Sequence, residues 1–179
     1  MKIVDIFVEE SPGRLYSFVY KIEGSTHYHI NEYDRLMELW TDVNYLRQYG
    51  KKNKVENINQ FVRNRLQDAE NIQDLLDELI HTSKPLEYYF QALHNNETGI
   101  KILSLQKGKV SSKDGLRIYA LKIDADCFII TGGAIKMSLL MEDHPDTKNE
   151  LIKIKKAKDY LKENNVFDSE SFYEFLIEI

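Results

Sequence analysis

Three residues in the C-terminal half of the chain have side chains that could act together on a phosphodiester: Arg117, Tyr119 and Lys136. All three lie on or just after segments whose apolar residues alternate as in β-strands. A planar guanidinium can hold two phosphate oxygens at once, and a lysine adds a second positive charge. Tyr119 and, later in the chain, His144 supply a phenol and an imidazole, which are groups that transfer protons. These four residues are the candidate catalytic residues.

The reaction that such residues could perform is cleavage of RNA without a metal ion. A base takes the proton of the 2′-hydroxyl, an acid protonates the leaving 5′-oxygen, and a cation stabilises the charge that builds on the phosphate. Strand alternation puts Arg117 and Tyr119 on one face, which becomes apolar further along at Leu121 and Ile123. An open polar site is therefore expected only at the first half of that strand.

Each candidate also has a purely structural interpretation. Arg117 could be a solvated surface arginine, and Lys136 could serve only to solubilise the protein. Tyr119 is one of eleven tyrosines and could be a packing residue. His144 precedes a proline in an acidic turn and could mark the start of a helix. Both interpretations stay open at the level of sequence.

The elements that would position the candidates are three successive antiparallel strands, predicted at residues 99–105, 116–123 and 127–131. The segment DAD forms the hairpin turn between the second and third strands. Gly132 and Gly133 predict a bulge or a sharp bend where the third strand ends. A lysine-rich helix is expected at residues 146–161.

The N-terminal half adds a hairpin and several helices. Residues 2–8 and 14–22 alternate as strands on either side of the turn signal Pro12-Gly13. Apolar spacing predicts helices at residues 31–49, 58–66, 72–80 and 85–94, and a final short helix. The fold class is therefore α+β, with an antiparallel sheet packed against helices. We expect one domain, 1–179, with parts at residues 1–30 (hairpin), 31–95 (helical), 96–165 (strand meander and helix) and 166–179 (terminal helix).

Composition narrows the classes of function. The net charge of −5 argues against a generic nucleic-acid binder, so any RNA contact must come from a local patch or from docking on a larger assembly. The single cysteine, Cys127, excludes an internal disulfide and a multi-cysteine zinc site, and is expected to be a buried, unreactive thiol. No signal peptide or segment of about 20 apolar residues is evident. We expect a cytoplasmic protein without metal, cofactor or membrane contact.

The order of these elements, together with the motif Gly115-Leu116-Arg117-Ile118-Tyr119, the preceding basic loop and the final helix, resembles the RelE/ParE/HigB toxin superfamily, most closely the HigB-like branch. The resemblance implies a RelE-like fold and the toxin of a type II toxin–antitoxin pair, a ribosome-dependent mRNA endoribonuclease that an antitoxin protein neutralises, with no DNA partner. It matches Arg117 to the arginine that contacts the scissile phosphate and Lys136 to a later basic position. The RNA-binding lysines that it implies are Lys101, Lys107 and Lys109. The alternative is a non-catalytic protein-interaction module of the same fold.

Overall fold

A computed structural model describes residues 1–6, 14–81, 85–92, 101–105, 115–138 and 140–178, with the backbone alone at residues 80 and 101–105. The strands in these ranges are β1 (Lys2–Asp5), β2 (Arg14–Val19), β3 (Phe90–Ala92), β4 (Lys101–Leu105), β5 (Gly115–Asp124) and β6 (Cys127–Lys136). The α-helices are α1 (Glu32–Thr41), α2 (Val43–Lys52), α3 (Ile58–His81), α4 (Pro145–Glu163) and α5 (Ser169–Glu178). The α+β class is confirmed.

The strands form one sheet in the order β1-β2-β6-β5-β4-β3, and this sheet is mixed. The expectation of a purely antiparallel sheet was wrong, because β2 runs parallel to β6, with Arg14 opposite Cys127 and Ser17 opposite Ile130. Parallel neighbours need a long crossover, and here the helices α1–α3 and three strands lie between β2 and β6 in sequence. β1 and β2 pair antiparallel, as expected. The predicted turn at Pro12-Gly13 lies outside the described residues.

Helices cover both faces of the sheet, and each face has its own apolar core. One core joins the sheet to α1, α2 and α3 through buried residues that include Leu36, Trp40, Leu76, Ile118, Phe128 and Ile130. The other joins the sheet to α4 and α5 through residues that include Phe18, Leu121, Ile129, Ile154, Leu161 and Phe172. Burying each such side chain contributes about 1.5–3 kcal/mol, so the two cores hold the layers together.

The helical half differs from the expected boundaries at two places. The helix expected at residues 31–49 is interrupted at Asp42, whose Oδ1 accepts hydrogen bonds from the backbone nitrogens of Asn44 (2.7 Å) and Tyr45 (3.3 Å). This cap starts α2 as a separate helix. Conversely, the two helices expected at 58–66 and 72–80 are one helix, α3, which buries Ala69 in the middle. None of the helices in the described part of the chain combines the length and apolar composition that a bilayer span requires.

Two strands also depart from expectation. The helix expected at residues 85–94 is a 3₁₀ turn, Leu86–Tyr88, followed by β3, because Phe90 pairs with Leu105 and stacks on Phe128 with ring centroids 4.9 Å apart. β6 continues to Lys136 and does not end at residue 131. Ala120 of β5 pairs with Ile130 of β6, whereas the preceding residue, Tyr119, pairs with Gly132. Thr131 is therefore an extra residue in β6 and forms a β-bulge. The expected bulge therefore lies one residue before the glycines.

Candidate functional site

The structure brings two of the predicted site residues, Arg117 and Lys136, to the same end of the sheet. Gly115 lies opposite Lys136, and Arg117 lies opposite Ala134. Directly paired residues lie on the same face of an antiparallel sheet, and so do residues two apart on one strand. Lys136 therefore shares a face with Gly115, and Gly115 shares that face with Arg117. Arg117 and Lys136 are both half-buried. Partial burial, and then the charge of Arg117, lower the pKa of Lys136.

The bulge at Thr131 is responsible for this arrangement. Without an extra residue in β6, strand alternation would place Lys136 on the face of Ile130, which packs against α1–α3. With the bulge, the alternation reverses, so that Gly132 and Lys136 join the face of Tyr119 and Arg117. The two cations are neighbours because of one inserted residue.

The Arg117 guanidinium lies over Gly115 and close to an acidic side chain of α3. Its Nη1 donates a hydrogen bond of 2.8 Å to the carbonyl oxygen of Leu116. A Cβ built on Gly115 would lie 3.0 Å from that Nη1 and 3.6 Å from Oδ2 of Asp68. Asp68 also pairs with Nε of the buried Arg65 at 2.9 Å. The Arg117 side chain is therefore held at the end of β5 by the Leu116 carbonyl oxygen.

Tyr119 is a core residue. Its exposed fraction is 1%, and its backbone oxygen accepts a hydrogen bond of 3.2 Å from the Thr131 hydroxyl. Burial raises the pKa of Tyr119 to about 12, an effect that the charge of Arg117 opposes and that of Glu150 reinforces. The structure thus places this phenol inside the layer between sheet and α4, beside the cations and away from the surface.

His144 lies at the start of α4 and connects it to the end of α2. Its Nδ1 accepts a hydrogen bond from the backbone nitrogen of Asp146 at 3.3 Å, which makes it the N-cap of α4. Its Nε2 lies 2.8 Å from Oδ1 of Asn53, whose Nδ2 donates to the Tyr49 carbonyl oxygen at 2.9 Å. This network assigns the ring proton to Nε2. The imidazole has the helix-start role that the sequence left open.

The lysines assigned to RNA binding stay predictions. Lys101 lies in β4 opposite Lys122 of β5, and only its backbone is described. Lys107 and Lys109 lie outside the described residues. The structure therefore gives positions for the two cations on β5 and β6 and leaves the contribution of the preceding loop as a prediction.

A second group of charged residues, which the sequence did not single out, links α1 to α4. Glu32 has an exposed fraction of 3%, and both of its carboxylate oxygens accept hydrogen bonds from Arg35. Nε donates to Oε1 at 3.0 Å, and Nη2 donates to Oε2 at 2.8 Å. Lys153 of α4 reaches the same carboxylate at 2.5 Å and Oε1 of Glu150 at 3.3 Å. Its ammonium also lies 5.0 Å from the ring centroid of Tyr20. We call Glu32, Arg35, Glu150 and Lys153 the α1–α4 ion cluster.

Within the α1–α4 ion cluster, Glu150 is the group whose charge is least stabilised. Burial raises its pKa to about 7, with Lys153 opposing the shift and Glu32 adding to it. Glu32 differs, because hydrogen bonds from Arg35 and the charge of Lys153 overcome its own burial and lower its pKa. Oε2 of Glu150 is buried with no hydrogen-bond partner among the described residues. A Cβ on Gly132 would lie 2.1 Å from this oxygen, so glycine is required there.

The sequence contained only a partial signal for this cluster. Glu32 with Arg35 and Glu150 with Lys153 are both i,i+3 pairs, a spacing usual on exposed helix faces. Nothing local indicates that the two pairs meet and are buried. The prediction for Cys127 was easier, since it lies in an apolar run: the thiol is buried, and burial raises its pKa to about 12.

The described ranges contain no group of three or more His, Cys, Asp or Glu side chains placed to hold a metal ion. Comparison with known proteins identified no relative: no protein-family model matches the chain, and neither a curated protein nor a solved structure is significantly similar to it.

Proposed function

We propose that the Arg117–Lys136 end of the sheet binds an RNA phosphodiester and that the chain is a toxin of the RelE/ParE/HigB type, cutting mRNA on the ribosome. In this reaction the 2′-oxygen attacks phosphorus and the bond from phosphorus to the 5′-oxygen breaks. The 2′-hydroxyl loses its proton, and the 5′-oxygen gains one. Arg117 and Lys136 stabilise the negative charge on the phosphate as it builds.

The observation that carries the binding part of the proposal is the placement of the two cations side by side on paired strands. Lys136 is held where burial and Arg117 make its own charge less favourable. A bound phosphate would relieve that repulsion, which is how anion sites are built. Among the described residues around Gly115 there are three cationic side chains, those of Arg65, Arg117 and Lys136, and one carboxylate, that of Asp68. Within the described part of the chain, cations therefore outnumber carboxylates at this end of the sheet.

The cleavage part of the proposal rests on the resemblance alone. Tyr119 is buried and His144 caps α4, so both predicted proton-transfer groups already have structural roles. That observation favours the second candidate, a non-catalytic protein-interaction module of the same fold. The two candidates differ in whether new RNA ends appear.

RNA binding is tested first, by fluorescence anisotropy with a short single-stranded RNA over a range of salt concentrations. The double variant Arg117→Gln with Lys136→Gln should bind more weakly, and the magnitude of the slope of log K against log salt should fall by about 0.7, the value for one phosphate contact on a single strand. The matched control is Arg63→Gln with Lys156→Gln, which removes the same two charges from exposed helix positions. Equal loss in both double variants would mean that only net charge matters, and would reject the site.

Cleavage is tested by inducing the protein in a bacterium and mapping mRNA ends. Growth arrest with new in-frame ends, present in the control double variant and absent in the Arg117/Lys136 variant, is expected of a toxin. Normal growth and unchanged ends from a folded protein that binds RNA in vitro would reject the nuclease and leave the non-catalytic module.

A further inference from the structure

A small cavity lies on the other side of β6 from β5, at the end of the sheet where β2 no longer pairs. The β2 pairing ends with Ser17 opposite Ile130, whereas β5 pairs with β6 as far as Lys136. Side chains of α1, α2 and α4 surround this part of β6. They leave a cavity of about 180 Å³ that opens towards the exposed residue Asn149, enough for several water molecules or one small ligand group.

The walls of this cavity combine aromatic rings with acidic groups. Its polar and aromatic lining comprises Arg35, Tyr45, Tyr49, Asp146, Asn149 and Glu150. The rings of Tyr45 and Tyr49 are 6.0 Å apart, and the Tyr49 hydroxyl lies 3.3 Å from the Ile135 carbonyl oxygen, which tethers it to the strand. Aromatic faces and carboxylates together are the surroundings that proteins use for organic cations.

The charges of the lining have different neighbours. The Arg35 guanidinium already donates hydrogen bonds to both oxygens of the Glu32 carboxylate, so its positive charge is compensated inside the α1–α4 ion cluster. Asp146 is half-buried, and its Oδ2 lies 3.8 Å from Nδ1 of His144, the nitrogen that accepts the cap hydrogen bond. Asp146 therefore contributes a carboxylate to the wall of the cavity, next to the Tyr49 hydroxyl.

We propose that this cavity binds a small organic cation, an alkylammonium or guanidinium group, with Asp146 and Glu150 as its counter-charges and the two tyrosine rings as its walls. The cation would reach Asp146 from the Asn149 side of the cavity. It could be a free amine or guanidine, or a lysine or arginine side chain of a peptide.

The electrostatics of the lining agree with this geometry. Burial is the main reason that the pKa of both Tyr45 and Tyr49 is raised; the charge of Asp146 adds to the shift of Tyr45, and a hydrogen bond with Asp146 and then its charge add to the shift of Tyr49. Burial alone would lower the pKa of Arg35, yet its hydrogen bond to Glu32, with added help from Glu150, raises it. The lining thus disfavours added negative charge and tolerates added positive charge.

Glu150 makes the binding depend on pH. Its pKa lies at about 7, so a cation that stabilises its ionised form should bind more tightly at pH 8 than at pH 6. The charged and titratable groups that contact or influence Glu150 are Glu32, Arg35, Lys153, Tyr20 and Tyr119. Lys153 holds part of the Glu150 charge, so the ligand would share Glu150 with Lys153 and would bind Asp146 beside the Tyr49 hydroxyl.

The experiment is a titration with methylguanidinium and with butylammonium, followed by NMR shifts of the amides of α2 and α4. We expect saturable shifts that are tighter at pH 8 than at pH 6. Asp146→Asn should weaken binding by about fivefold, the effect of removing one half-exposed charged partner. Asp143→Asn, which changes an exposed acid that does not line the cavity, should leave affinity unchanged. If Asp146→Asn proves unfolded by circular dichroism, Glu150→Gln, which keeps side-chain shape, should abolish the pH dependence.

Urea serves as the neutral analogue of guanidinium at the same millimolar concentrations. Equal shifts from urea and methylguanidinium, or equal effects of Asp146→Asn and Asp143→Asn, would overturn the proposal. A blocked tripeptide with a central arginine distinguishes the two sources of the cation. Tighter binding of the peptide than of methylguanidinium assigns the cavity to a protein side chain, and tighter binding of methylguanidinium assigns it to a free small molecule.

Discussion

The most specific prediction concerns the pH dependence of stability that Glu150 imposes. Its pKa rises from an ordinary value of 4.5 to about 7 on folding. Each tenfold change in proton affinity corresponds to about 1.4 kcal/mol, so the full shift is worth about 3 kcal/mol. This is a large share of the 5–15 kcal/mol that typically holds a domain folded.

The sign follows from which state keeps the proton. Between pH 4.5 and about 7, the unfolded Glu150 has lost its proton while the folded one retains it. The free energy of unfolding therefore falls as pH rises through this window, and the contribution is complete below pH 4.5. Replacing Glu150 by glutamine removes the titrating group while keeping the shape that fits beside Gly132.

The measurement is urea unfolding of wild type and Glu150→Gln from pH 4.5 to 8.5, followed by the fluorescence of Trp40, the one tryptophan, which is buried at 1% exposure. The free energy of unfolding of wild type minus that of the variant should fall by about 3 kcal/mol between pH 4.5 and 8. Glu163→Gln, an exposed glutamate at the end of α4, should give a flat difference.

Two outcomes would refute this reasoning. A flat difference for Glu150→Gln would mean that water reaches the carboxylate and that burial does not penalise its charge. A difference that rises with pH would mean that Lys153 holds Glu150 ionised more strongly than burial disfavours the ion. Either result would also remove the pH dependence expected for cation binding in the cavity.

Three further substitutions test the packing that positions the sites, each by urea unfolding. Gly133→Ala should destabilise by about 1–3 kcal/mol, because its Cβ would lie 2.6 Å from a backbone oxygen and 2.9 Å from the Trp40 ring; a neutral result would contradict this fit. Asp42→Ala should cost about 1 kcal/mol as a lost N-cap, against little change for the exposed mid-helix Glu38→Ala; equal costs would refute the cap. Tyr20→Phe should cost about 1 kcal/mol through loss of its 2.8 Å bond to the Thr131 oxygen, and an unchanged stability would show that water replaces it.

Local patterns were enough for much of the C-terminal half. The strands around Arg117 alternate, the DAD segment closes their hairpin, and a lysine-rich helix follows; β5 and α4 appear where these signals put them, and β6 begins there but continues to Lys136. Such signals are reliable because hairpin pairing and helix periodicity involve residues close in sequence. The interruption at Asp42 had a local cause too, an N-cap residue within an otherwise continuous helical pattern.

What was missed depends on contacts between distant residues. The parallel pairing of β2 with β6 joins residues more than a hundred positions apart, and no local pattern specifies the direction of such a pair. In the sequence, Glu32 and Glu150 each belong to an i,i+3 ion pair of the kind that is common on solvent-exposed helix faces. Only the packing of α1 against α4 buries both carboxylates beside the same lysine, Lys153.

By itself, the sequence determined the α+β class, the β5–β6 hairpin, the buried thiol of Cys127 and the two cations of the candidate phosphate site. Only the tertiary structure decided that Arg117 and Lys136 share a face, because the bulge at Thr131 reverses the alternation of β6 by one residue. Only the tertiary structure placed the α1–α4 ion cluster and its cavity at the unpaired edge of β6. The physical reason is the same in both cases: side-chain identity and local periodicity are carried by the sequence, whereas burial and relative position come from long-range packing.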